Sequence, residues 1–146
     1  MKPILCVVDL KEPCRKVLEV AASIASKCHT HLIVLFSYRL INLGAESDLS
    51  TVKFTMDNKA KSKFNEFNKY LLQDKITYEF QTEIGFDADR ISSYAKGNCV
   101  GMVIIGEGQA YDISEGRPFT LREFITDMKL PFLIVPEEVN VEALDY

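Results

Sequence analysis

No stretch of this chain approaches the roughly 18 consecutive apolar residues that a membrane span requires, so the sequence offers no transmembrane candidate. It also lacks the cysteine spacing of a stapled or metal-bound domain. Cys6, Cys14, Cys28 and Cys99 form no Cys-x-x-Cys pair and sit in apolar or helical settings, which reads as reduced thiols in a cytoplasmic protein. An excess of basic charge is missing too. A net charge of −4 argues against a nucleic-acid surface, because neutralising phosphates takes clustered Lys and Arg. Lys59, Lys61, Lys63 and Lys69 are interleaved with acidic and apolar residues, as on a solvated helix face. Motifs that carry chemistry are equally scarce. There is no Gly-x-Ser-x-Gly elbow and no P-loop, and Gly106-Glu107-Gly108 is a dinucleotide fingerprint without its third glycine. No catalytic residue is assigned. His29 and His31 supply two imidazoles where zinc wants three or four ligands, so they read as surface histidines and no metal site is assigned.

What remains is the profile of one ordinary domain. At 146 residues the chain can bury about two-thirds of its unfolded surface around one core. With 47% hydrophobic and 26% charged residues it is neither disordered nor fibrous. The opening MKPILCVVDL has no small-residue cleavage site and reads as a first strand rather than a signal peptide. Residues 1–136 are expected to form the domain, and 137–146, EEVNVEALDY, an acidic tail that reads as a partly frayed terminus or as a dimer clasp.

Along the chain, short apolar runs alternate with helical periodicity. Ile4 to Val8 and His31 to Ser37 read as parallel strands buried on both faces. Between them Pro13 suits a first helical turn, and Val17, Ala21, Ile24 and Cys28 recur at helical spacing. Asn42, Gly44, Ser47 and Asp48 suggest a loop with capping side chains. A long helix follows, with Val52, Met56, Ala60, Phe64, Phe67 and Leu71 on one stripe. Ile76 to Thr82 alternates like a strand near the sheet edge, and Gly85 and Asp87 introduce a helix that stops at Gly97. Val100 to Ile105 is a buried strand, followed by a glycine-containing loop and a helix from about Pro118 to Met128. Pro131 opens the last strand. The string βαβαβαβαβ predicts an α/β fold: an open, five-stranded parallel sheet with helices on both faces. In such sheets ligands gather outside the carboxyl ends of the strands, which makes the loop after Ile105 a candidate phosphate cradle.

These residues carry a family resemblance. ILCVVDLKEPCRKVLEVAASIASKCHTHLIVLFS is similar to the first strand, acidic turn, alanine-rich helix and second strand of the universal stress proteins. GFDADRISSYAKGNCVGMVIIG is similar to their third helix and fourth strand, and LPFLIVP to their closing strand. The resemblance implies a Rossmann-like sheet ordered 3-2-1-4-5 and a homodimer through the last strand, around Phe132 and Ile134. The ATP-binding branch of that family carries Gly-x2-Gly-x9-Gly-Ser/Thr after the fourth strand. Gly106 matches the first glycine, but Gln109 stands at the second. The Gly-Ser pair falls on Phe119 and Thr120, or on Pro118 and Phe119 when counted back from Pro131.

That departure has a physical weight. The glycines bring bare N–H groups to phosphate oxygens, and losing two charge-assisted contacts at about 1.5–3 kcal/mol each lowers affinity by roughly 10²- to 10⁴-fold. Glu107, Asp112 and Glu115 would repel phosphate besides. If a nucleotide binds, the resemblance places Asp9 beside the nucleoside, the Ser37 backbone near adenine and Gly106 at the first glycine of the phosphate motif; Gly108 is a further candidate although it lies off the motif's register, and Thr120 could hydrogen-bond a phosphate. Asp9 also reads as a turn residue, and Thr120 as a helix entry. Cys14, at a helix start, reads as a packed thiol or as one activated for redox sensing. The expectation is a non-enzymatic, dimeric universal-stress-type protein with a degenerate nucleotide cleft and no cofactor, acting through protein partners or a small ligand. The alternative is an ATP or AMP sensor with Mg²⁺ and weak hydrolytic or regulatory activity.

Overall fold

A computed structural model of the chain describes residues 1–11, 13–40, 48–69, 71 and 76–137. The core strand β1 is Ile4–Val7, four residues with essentially no exposure. On one side it pairs in parallel with β2, Leu32–Tyr38, which in turn pairs with the edge strand β3, Tyr78–Ile84. On the other side it pairs with β4, Met102–Gly106, which is followed by the second edge, β5, Phe132–Val135. The order is therefore β3-β2-β1-β4-β5, all parallel, as expected.

Alternation along β1 divides the core in two. Ile4 and Cys6 pack on one face with α1, Cys14–Lys27, and α2, Leu49–Asn65; Leu5 and Val7 pack on the other with α3, Asp87–Lys96, and α5, Leu121–Met128. Ala21, Ala22 and Ala25 of α1 are fully buried, their small side chains letting the helix lie close against the sheet.

The helix termini follow their capping chemistry. Asp48 caps α2 by accepting the Ser50 N–H at 3.0 Å. The Asn42, Gly44 and Ser47 parts of that expected cap lie outside the described residues, as does the tail beyond Glu137. The long stripe breaks into two parts: α2 closes at Asn65, and Phe67 and Leu71 are buried beyond it.

Two boundaries correct the sequence expectation. The last helix begins at Leu121 rather than Pro118, because Thr120 forms a capping box with Glu123 at 3.1 and 3.2 Å. The segment after Ile105 is not a glycine loop. Strand β4 runs to Gly106 and leads directly into a short helix, α4, Glu107–Asp112. Its buried Ala110 packs into the second core, and this tertiary contact outweighs the helix penalty of Gly108. The turn after it is made by Gly116, whose φ of +70° a side chain would strain.

Candidate functional site

The carboxyl ends of β1 and β2 splay from the start of α3 and from α4, leaving a cleft of about 480 Å³ beside the point where strand order reverses. Three chain turns build it. After β1, Asp9 Oδ1 accepts the Lys11 N–H at 3.0 Å, which supports the left-handed conformation of Leu10 at φ +61°. After β3, Gly85 donates its N–H to the Tyr38 carbonyl at 2.8 Å with φ +140°, a geometry that favours glycine and turns the chain into α3. After β4, α4 brings Gln109, Asp112 and Ile113 to the cleft wall.

Asp87 is the polar centre. One of its oxygens accepts a hydrogen bond from the Ser37 hydroxyl, and the other accepts from Gln109 Nε2 at 3.0 Å. The carboxylate thus ties the end of β2, the first turn of α3 and α4 together across the cleft. Four carboxylates line the space, Asp9, Asp87, Asp112 and Glu115, against two cations, Lys11 and Arg39. At the rim, the exposed Phe86 ring meets two guanidinium groups, Arg39 at 4.8 Å and Arg117 at 4.9 Å. Arg117 also pairs with Asp89 at 3.0 Å.

A second polar cluster braces the cleft from behind. Tyr38 and Thr82 donate to Asp57 Oδ1 at 2.9 and 2.8 Å, and Lys53 meets Oδ2 at 2.6 Å. Burial opposes ionisation of Asp57, but the hydrogen bonds from Lys53, Thr82 and Tyr38 and the charge of Lys53 hold its carboxyl below the usual range. Burial first, and then the hydrogen bond to Asp57, push Tyr38 up to about 12.

The sequence-derived candidates separate into three places. Asp9 and Ser37 line the cleft. Gly106 and Gly108 do not; they bound a tight space of about 10 Å³ with Pro13, Cys14, Val17 and Glu137. A side chain at Gly108 would collide with the Glu137 carboxylate, and one at Gly106 would meet Val17 at 3.2 Å. Thr120 lines neither space, its hydroxyl being committed to the α5 cap. Asp87 and Gln109 were visible in the sequence only as a helix entry and as a missing glycine, because their meeting spans 22 positions. Cys14 opens α1 as expected but is 3% exposed, which makes it a packed thiol. His29 and His31 are exposed at the opposite end of the sheet. Among the described residues no group of three His, Cys, Asp or Glu is placed to hold a metal ion, and no helix is long and apolar enough to cross a membrane.

A parallel sheet ordered 3-2-1-4-5 with a ligand-sized cleft at its switch point defines a Rossmann-like α/β protein. The model of the universal stress protein family matches residues 1–117, and the chain belongs to that family. Solved structures agree on the fold. A universal stress protein in complex with cAMP is 16% identical with a TM-score of 0.70, covering 94% of this chain and 98% of its own. One from Archaeoglobus fulgidus in complex with dAMP is 17% identical at 0.62, covering 92% and 98%. A family protein from Burkholderia pseudomallei is 13% identical at 0.69, covering 92% and 96%. No curated protein sequence matches the chain significantly.

Proposed function

We propose that the protein is a non-enzymatic, cytoplasmic regulator of the universal stress type whose cleft takes a compact ligand of adenosine or AMP size, and that it works as a homodimer through β5 with further protein partners. The observation that carries this reading is the place of the glycines. Gly106 and Gly108, the backbone that would approach a phosphate chain, line the tight space beside Glu137 and not the cleft. The acidic lining adds repulsion toward a polyphosphate. The cAMP and dAMP complexes of related folds support a ligand carrying one phosphate. In this reading Asp9 and Ser37 contact the ligand, and Gly106, Gly108 and Thr120 do not. The dimer is supported by the position of β5 at a sheet edge with Ile134 exposed, an arrangement that a second copy would cover.

A second reading, an ATP or AMP sensor, is supported by Lys11 and Arg39, which face the cleft with no carboxylate paired to either among the described residues. Thermal unfolding separates the two. A ligand at 100 times its dissociation constant adds about 2.7 kcal/mol. Adenosine or AMP should raise the transition temperature while millimolar Mg-ATP does not. An equal shift with Mg-ATP, or a nucleotide triphosphate retained through purification, overturns the leading reading in favour of the second. Sedimentation showing only monomer at micromolar concentration overturns the dimer.

A further inference from the structure

The cleft and the tight glycine space share two lining residues, Asp9 and Gln109. Those two side chains therefore form the partition between them. Asp9 is anchored by the turn it caps, through Lys11 N–H at 3.0 Å. Gln109 crosses from α4 to Asp87 and is held there at 3.0 Å, while Ser37 holds the other Asp87 oxygen. Beyond the partition, the carboxylate of Glu137, two residues after β5, sits over Gly108 and leaves only about 10 Å³ of free space. A ligand seated in the 480 Å³ cleft thus meets an amide crossbar, and behind it a carboxylate.

We infer that Gln109, held by Asp87, and Glu137, seated over Gly108, are the specificity-determining residues of the cleft, limiting it to a ligand no longer than a nucleoside monophosphate. This inference rests on the compact-ligand reading. Gln109 is the adjustable member, because a neutral amide bonded to a carboxylate from a six-residue helix can be withdrawn without breaking the core. Glu137 adds a negative charge that disfavours an anionic chain extending past the crossbar.

The test compares the wild type, Gln109→Gly, Glu137→Gln and the double variant by calorimetric titration with adenosine, AMP, ADP and pyrophosphate. In the double variant the affinity ratio of ADP, and of pyrophosphate, to adenosine should rise at least tenfold over the wild type. Each single variant should show a smaller gain. If the affinity ratio of ADP or pyrophosphate to adenosine is the same in all four proteins, the inference is overturned. If adenosine and AMP bind none of them but pyrophosphate separates the double variant from the wild type, the partition stands and the compact-ligand reading falls. Should Gln109→Gly fail to fold, Glu137→Gln alone, a change at an exposed residue beyond the last strand, decides: no gain in pyrophosphate affinity overturns the inference.

Discussion

Asp57 and Asp87 each gather donors from neighbouring elements, yet they hold different kinds of structure together. Asp57 accepts from a cation and two hydroxyls, from α2, β2 and β3, and pins the outer helix to the sheet edge. Asp87 accepts only neutral donors, one of them from a short helix, and faces an open cleft. A carboxylate that meets a cation and is backed by the sheet is a brace, whereas one that accepts only from neutral groups beside a cavity is tied to elements that can move apart more easily.

The largest effect should separate the two aspartates by stability. Asp57→Ala leaves Tyr38, Thr82 and Lys53 without their acceptor and should cost about 2 kcal/mol in urea unfolding, a figure already reduced for partial exposure. A cost no larger than that of Asp87→Ala would erase the distinction. Asp87→Ala removes two hydrogen bonds that neutral donors make to a carboxylate beside an open cleft and should cost about 1 kcal/mol, accompanied by a change in ligand affinity that Asp57→Ala does not share.

Acid sharpens the same contrast. Because the folded carboxyl of Asp57 lies below its unfolded value, its contribution is present in full above about pH 5 and is lost as pH falls below about 4. The stability difference between wild type and Asp57→Asn should therefore be constant near neutrality and shrink in acid, by about 1 kcal/mol or less. A difference that does not change down to pH 3 would remove the charged brace. The smallest effect belongs to Gln109→Ala, which should change stability by no more than about 0.5 kcal/mol, since the amide bridges partly exposed groups. A loss of several kcal/mol would recast the crossbar as a structural brace.

Much of this was legible in the chain. The buried runs at β1, β2 and β4, the edge alternation of β3, the helix stops and the proline before β5 all follow from local period and breaker chemistry. Asp9 and Ser37 could be placed because they lie just past the end of β1 and near the end of β2, and strand ends in a parallel sheet converge on one edge. The segment from Gly106 to Thr120 resisted local reading. Two glycines argue for a loop, but Ala110 and Ile113 find the second core and wind the first part into a helix. Thr120 likewise has one hydroxyl with two local readings, and only the folded position of Glu123 decides for the cap.

Sequence patterns alone were enough for the parallel α/β class, the order of the strands and of every helix but α4, and the family, since these depend on patterns repeated over tens of residues. That Asp87 meets Ser37 and Gln109, and that Glu137 covers Gly108 while the glycines line a space apart from the cleft, came from the folded chain. Those contacts join residues distant along the chain. No local propensity encodes them, because their geometry exists only after the sheet has closed around its core.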